Sequence, residues 1–154
     1  MTKKQSAGLL VYKKVDGRLR IFLVHPGGPF WAKKDMGAWT IPKGEFADDE
    51  DALVAARREF TEETGQTVDG PFREVTPCRQ KGGKIVRAWA VEGEANEAIV
   101  SNTFEIEWPP KSGRRQSFPE VDRASWFDID DARQRINQGQ RPFLDELAGL
   151  LDAG

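Results

Sequence analysis

Glu59, Glu62 and Glu63 follow Arg58 and precede Gly65 in the run Arg-Glu-Phe-Thr-Glu-Glu-Thr-Gly. On a helix, positions i, i+3 and i+4 are surface neighbours, so the three carboxylates converge on one stripe. Like charges at that spacing repel by roughly 0.2–0.5 kcal/mol per pair. A helix that needed only solubility would alternate Glu with Lys. A hard divalent cation removes the repulsion. Mg²⁺, with Mn²⁺ as a substitute, takes oxygen ligands from a few carboxylates and keeps waters for substrate phosphates. The plainer alternative is a solvated acidic face.

The element that must carry these glutamates is a short helix entered through the turn Pro42-Lys43-Gly44. Asp48 and Asp49 are candidate caps for its free N–H groups. Glu50 and Asp51 complement the positive end of its dipole. Gly65 is the residue expected at a left-handed stop. At about 100° per residue, Leu53, Ala56 and Phe60 form a stripe to be buried, and the glutamates border it.

The spacing Gly44, five residues, Glu50, seven residues, Arg58-Glu59-Phe60, one residue, Glu62-Glu63, one residue, Gly65 resembles the Nudix box. All seven fixed residues of that pattern are present, and Phe60 satisfies its internal apolar position. Gln66 stands where a bulky apolar residue closes the pattern, a departure that touches packing after the helix. The box covers 23 of 154 residues. The resemblance implies a Nudix-type α/β/α sandwich with a mixed β-sheet. It implies hydrolysis of a diphosphate bond in a nucleoside diphosphate linked to another group. It also implies that Glu59 and Glu63 are the principal metal ligands. Glu62 would be a further ligand, direct or through water, and the Gly44 carbonyl would join them. Glu50 and Arg58 would form a structural ion pair. The general base varies across the family. It is Glu59 here, or a glutamate on a later loop, for which Glu120 is favoured over Glu105 and Glu107.

The whole chain bounds these readings. Its 154 residues suffice for one domain, taken as 1–154. A net charge of -2 argues against a general nucleic-acid coat but leaves room for a local phosphate pocket. Cys78 is the only cysteine, which excludes an intramolecular disulfide and a four-cysteine zinc site and fits a reducing cytoplasm. Its expected role is a free core thiol. The N-terminal Met-Thr-Lys-Lys-Gln-Ser-Ala-Gly-Leu-Leu-Val-Tyr has too short an apolar run for a signal peptide, and no run approaches a membrane span. A monomer or a homodimer is compatible with all of this. No Ser-His-Asp set accompanies the box, so a metal-activated water is the expected nucleophile.

Residues 6–13 and 19–25 read as strands joined at Asp16-Gly17, with Ile21–Val24 buried on both faces. Residues 25–39 read as a functional loop. There Trp31 beside Lys33 and Lys34 suits a base and its phosphates. His25, the sole histidine, reads as structural. Trp39-Thr40-Ile41 reads as a short strand leading to Lys43, whose preferred role is a phosphate contact. Residues 72–78 read as a strand weakened by Pro77, and 80–84 as a turn carrying Lys81 and Lys84. Residues 85–92 alternate, with Val86, Ala88 and Ala90 on one face and Arg87 and Trp89 on the other. One face is expected to meet the core. If the second face lines the pocket, Arg87 clamps an anion and Trp89 stacks. Residues 93–100 read as loop, 103–108 as a strand, 111–115 as a basic hairpin tip, 118–122 as an acidic loop and 124–128 as a last strand. Asp130 is the expected cap of a helix over 131–137. Arg141-Pro142 opens a terminal helix with Phe143, Leu144, Leu147 and Leu151 on its apolar face.

Substrate-binding candidates are therefore Lys43, Trp31, Lys84, Arg87 and Trp89. The marks of several Nudix subfamilies outside the box are absent, among them a tyrosine near residues 82–84. Pro-Lys-Gly before Glu45 resembles enzymes acting on nucleoside polyphosphates. The expected substrate is a nucleoside triphosphate or a dinucleoside polyphosphate. The alternatives are an RNA 5′ end, a diphosphoinositol, or nucleotide sensing without catalysis.

Overall fold

Asp16 and Gly17 take positive φ of 54° and 78°. That mirror-image turn matches the twist of a hairpin, and it joins β1 (Gln5–Val15) to β2 (Arg18–Pro26). The computed structural model describes residues 5–152. Residues 1–4, the start of the stretch weighed against a signal peptide, and residues 153–154, the end of the expected domain, lie outside the described residues.

β1 is the hub of a mixed sheet. One edge pairs antiparallel with β2 through Tyr12–Val15 and with β3 (Lys43–Glu45) through Ser6–Gly8. Gly8 lets β3 approach, because a Cβ there would meet the Pro42 carbonyl and the Lys43 side chain. The other edge runs parallel to β6 (Ile85–Glu92). β4 (Arg73–Glu74) and β5 (Cys78–Arg79) lie on the far side of β6, and β9 (Val121–Asp128) pairs with β2. A separate two-stranded hairpin is made by β7 (Thr103–Glu107) and β8 (Arg115–Pro119).

Strand alternation divides the core in two. On one side of the sheet, Ala7, Leu9, Val11, Phe22 and Val24 pack against α1 (Ala52–Thr64) through Ala55, Ala56 and Phe60. On the other, Leu10, Ile21, Leu23, Val86 and Ala88 meet α2 (Ile129–Arg135) and α3 (Arg141–Asp152) through Ala132, Phe143, Leu144 and Leu147. The sheet is sandwiched between helices, as the resemblance implies. β6 contributes to both cores, with Val86, Ala88 and Ala90 on one side and Trp89 and Val91 on the other. The expectation that one face alone would be covered is corrected: a central parallel strand is buried twice.

Other boundaries shift for local reasons. The cap of α1 is Asp51, whose carboxylate accepts the Val54 N–H at 3.0 Å, not Asp48 or Asp49. Gly65 ends the helix at φ 76° and donates its N–H to Thr61. Leu53 is half-buried beside the core rather than inside it. α2 begins at Ile129, so Asp130 sits in its first turn and does not cap it. Trp39 and Thr40 form only isolated bridges, to Ile136 and Val24, where a short strand was expected. The strand expected over 72–78 is split into β4 and β5 around Thr76-Pro77, since proline cannot donate to the ladder. Phe118 and Pro119 belong to β8 and Val121 and Asp122 to β9, which leaves Glu120 alone at the joint of the expected acidic loop. Cys78 is buried, and burial pushes its thiol up to about 11, which leaves it an inert core group. No helix among the described residues is long and apolar enough to cross a membrane.

Candidate active site

Glu59 and Glu63 lie one turn apart on the edge of α1 that enters the core, at 7% and 6% exposure. Carboxylates are rarely this buried without a partner. Glu120 joins them from the joint of β8 and β9. One carboxylate oxygen from each of Glu59, Glu63 and Glu120 lies within 4.8 Å of the others. Among the described residues this is the one such cluster of potential metal-ligating side chains.

The end of α1 explains how Glu120 arrives. The last carbonyls of a helix have no partner inside it. Here the Val100 N–H donates to Thr64 and the Asn102 N–H to Glu62. The Asn102 carbonyl then accepts the Glu120 N–H at 2.8 Å, and the Glu120 carbonyl accepts the Gly27 N–H at 2.9 Å. Four segments are thereby laced from the helix terminus to the end of β2. Gly27 must be glycine for this, since a Cβ there would run into the Pro119 carbonyl. A Cβ on Gly44 would likewise collide with the carboxylate of Glu59, so the Glu59 head group lies directly over the backbone of β3.

Charge in the cluster is poorly compensated. Burial, then the neighbouring Glu59 charge, pushes Glu63 well above the usual carboxylate range, with Lys43 opposing. Burial and Glu62 raise Glu59, against the pull of Arg58. Burial and Glu62 also raise Glu120. Lys43, which enters from β3, is lowered by its own burial while Glu63 pulls it up. Three carboxylates held above their ordinary range around one point form a donor set that a hard cation fits, because it supplies the missing positive charge and prefers oxygen.

Glu62 stands outside this cluster. Its two oxygens accept from Arg58 Nη1 at 3.2 and 3.3 Å. Arg58 also holds Glu50 at 3.1 and 3.2 Å and Glu59 Oε1 at 3.0 Å. One guanidinium thus ties the loop before α1 to two of its glutamates, and these bonds hold Arg58 protonated.

The remaining candidates are distributed around the cluster. Lys84 is exposed and 4.0 Å from Glu45. Arg87 is bonded to Glu74 at 2.8 Å and lies over the ring of Trp89. Trp89 is 7% exposed and part of the core beneath α1, so its ring is not open for stacking, which corrects its reading as a pocket wall. Among the described residues, no hydrogen bond or ion pair joins Arg87 to the three glutamates. Trp31 is 37% exposed, with Lys34 Nζ 5.0 Å from its ring centre. Glu105 and Glu107 stay exposed on β7, away from the cluster.

His25 is a buried bridge. Its Nδ1 lies 2.9 Å from Asp122 and its Nε2 2.6 Å from the Lys34 carbonyl. It ties the 27–38 loop to β9, two residues from Glu120. Sequence reasoning missed this partner and the backing of Glu120 by Gly27. The Gly-Gly pair straight after a buried strand was the available signal.

Comparison with known proteins follows the same lines. The NUDIX domain family model matches residues 2–147. No curated protein sequence matches. Among solved structures, an Ap4A hydrolase binary complex from C. elegans is 20% identical, with a TM-score of 0.71 over 97% of this chain and 99% of that one. The NUDIX domain of Shewanella oneidensis NrtR, complexed with ADP ribose, is 16% identical, with a TM-score of 0.63 over 96% and 87%. A MutT structure from work on Aliivibrio salmonicida and Vibrio cholerae is 16% identical, with a TM-score of 0.56 over 95% and 96%. At these identities the structural likeness speaks for the fold, while the family model spans nearly the whole sequence. The chain belongs to the NUDIX domain family.

Proposed function

We propose that this protein hydrolyses a diphosphate linkage in a nucleoside triphosphate or a dinucleoside polyphosphate. The observation that carries this reading is the convergence of Glu59, Glu63 and Glu120 within 4.8 Å. Glu59 and Glu63, with the main-chain carbonyl of Gly44, would hold Mg²⁺, or Mn²⁺ in its place, with Glu120 facing them across the site. When bound, the ion lowers the pKa of water and neutralises charge on a displaced phosphate. Glu120 accepts the proton of the attacking water at its carboxylate. Its raised pKa moves it toward the operating pH, as a general base requires. Glu59, hydrogen-bonded to Arg58 and seated on Gly44, is the less free rival for that role.

Lys43 binds a phosphate oxygen beside the cluster, since it is the ammonium that Glu63 and Glu59 attract from β3. Lys84 lies close enough to influence Lys43 and supports the same phosphate chain. Trp31 and Lys34 receive a base and a phosphate. Glu50 and Arg58 hold the loop against the helix, and Glu62 serves this brace while bordering the site. The likeness to an Ap4A hydrolase and to a NUDIX domain complexed with ADP ribose supports a small nucleotide as substrate. A cytoplasmic enzyme, monomeric or homodimeric, is consistent with the buried free thiol.

The test is turnover of a panel in Mg²⁺ and Mn²⁺, with products separated to identify the broken bond. The panel holds nucleoside triphosphates, diadenosine polyphosphates, ADP-ribose, a diphosphoinositol and triphosphorylated RNA. Metal-dependent release from a nucleoside polyphosphate is expected. Nucleotide binding without turnover of any member would overturn the reading in favour of a sensor.

A further inference from the structure

We infer that His25 is a positioning residue for Glu120: through Asp122 it holds a β-bulge in β9 that turns Glu120 toward Glu59 and Glu63. This rests on the reading of Glu120 as general base and deepens it. The bulge is visible in the register. Phe22 pairs with Trp126, Val24 with Ala124 and His25 with Arg123, but Pro26 pairs with Val121. Asp122 is therefore an extra residue with no opposite number on β2. The packing agrees. Val121 and Trp126 stand five positions apart, which strict alternation would place on opposite faces, yet both lie in the core beneath α1. Without the extra residue, Val121 would turn to the other face and carry Glu120 with it. Such a bulge re-aims side chains beside a site and leaves its extra residue outside the ladder.

The extra residue needs a hold of its own. The backbone before it is already engaged. Glu120 donates its N–H to Asn102 and accepts from Gly27, and the Val121 N–H donates to Ser101 Oγ at 3.1 Å. The Asp122 side chain goes to His25, whose Nδ1 lies 2.9 Å from Oδ1. The other partner of that oxygen, Arg123 Nε, is more distant at 3.5 Å, and its side chain is 53% exposed. His25 is fully buried. Its ring meets Trp39 edge-on at 5.2 Å, and Trp39 is itself bonded to Asp35. The Lys34 carbonyl can only accept, so Nε2–H donates to it at 2.6 Å, and Nδ1 shares a proton with Asp122. A ring clamped at both nitrogens and packed on all sides sets where Asp122 stands. The same ring seats, from its other nitrogen, the loop that bears Trp31 and Lys34.

A histidine serving only the core would find its partners there. The Nδ1 bond instead goes to a residue outside both core clusters, and that residue is the bulge itself, two positions from Glu120. A general base must stand within hydrogen-bond reach of its water, and a misplacement of about 1 Å costs roughly 10²-fold. The bridge therefore bears on the rate more than on the packing.

The experiment measures kcat and KM for ATP and for diadenosine tetraphosphate in Mg²⁺, with circular dichroism to check folding. The variants are Asp122→Ala, Asp122→Asn, Arg123→Ala and His25→Phe, with Glu120→Gln as control. Asp122→Ala should lower kcat roughly tenfold or more with KM nearly unchanged, because the Lys34 end of the bridge stays made. Asp122→Asn should restore kcat, since its amide N–H donates to Nδ1 of a neutral ring and the bridge survives the loss of charge. Arg123→Ala should keep the parent kcat. His25→Phe should lower kcat and also raise KM, because it releases both ends; if this buried change prevents folding, the two Asp122 variants decide alone. An unchanged kcat in folded Asp122→Ala, equal losses in Asp122→Ala and Asp122→Asn, or as large a loss in Arg123→Ala overturns the inference. If Glu120→Gln keeps full turnover, or the parent cleaves neither compound, the general-base reading has failed separately. Amide hydrogen exchange at Gly27 and Val121 then decides the positioning. Exchange roughly tenfold faster in Asp122→Ala and parent-like in Asp122→Asn upholds it, and equal protection in both overturns it.

Discussion

Glu63 is the residue on which the electrostatics turn. Its carboxyl is raised well above the ordinary 4.5 by burial and by Glu59. In the window between the unfolded and folded values, the unfolded chain has lost the proton and the fold still holds it. Stability must therefore fall as pH rises through that window. Metal-free protein is expected to melt at progressively lower temperature from about pH 4.5 upward, as Glu59 and Glu120 add in the same direction. Glu63→Gln should flatten this slope and raise the metal-free melting temperature at neutral pH. A steeper slope in the variant would contradict it. For Glu120→Gln the expected loss is in kcat, on the order of 10²–10⁴-fold if Glu120 is the general base. Steady-state kinetics with an unchanged KM would check that assignment.

At the scale of elements, the site depends on how closely β3, the 27–38 loop and the terminus of α1 approach one another. Gly44→Ala would drive a methyl group into the Glu59 carboxylate, and Gly27→Ala one into the Pro119 carbonyl that precedes Glu120. Both should lower turnover far more than a surface change does. By contrast, Asp51→Ala, which removes the cap of α1, should cost about 1 kcal/mol of stability while sparing the chemistry. Denaturant unfolding beside activity separates the two kinds of defect. Much of this was legible beforehand. The glutamate stripe, the Gly65 stop and the β1–β2 turn follow from spacing and residue type alone. What escaped was tertiary. Arg58 takes Glu62 because the partner from the loop, Glu50, brings the guanidinium alongside. Trp89 is core because β6 is covered on both faces, which alternation in one strand cannot reveal. Glu120 was distinguishable from Glu105 and Glu107 only as a loop residue. The backbone bonds that seat it involve Asn102 and Gly27, far apart in sequence.

For the whole molecule, the proposed function implies that the fold holds the unfavourable charge of Glu59, Glu63 and the half-buried Glu120 for the sake of a cation. A cation that binds only the folded chain must stabilise it, by about 2.7 kcal/mol at a concentration 100-fold above its Kd. For a chain of this length each kcal/mol shifts the melting temperature by roughly 2–4 °C. Mg²⁺ should thus raise the melting temperature of the parent, most at neutral pH, and shift Glu63→Gln much less. The most direct measurement is Mg²⁺-dependent turnover of a nucleoside polyphosphate by the parent and by folded Glu63→Gln in one assay. The account predicts saturable metal dependence in the parent and near-complete loss in the variant. Turnover that survives in the variant, or that proceeds equally without a divalent cation, would contradict it.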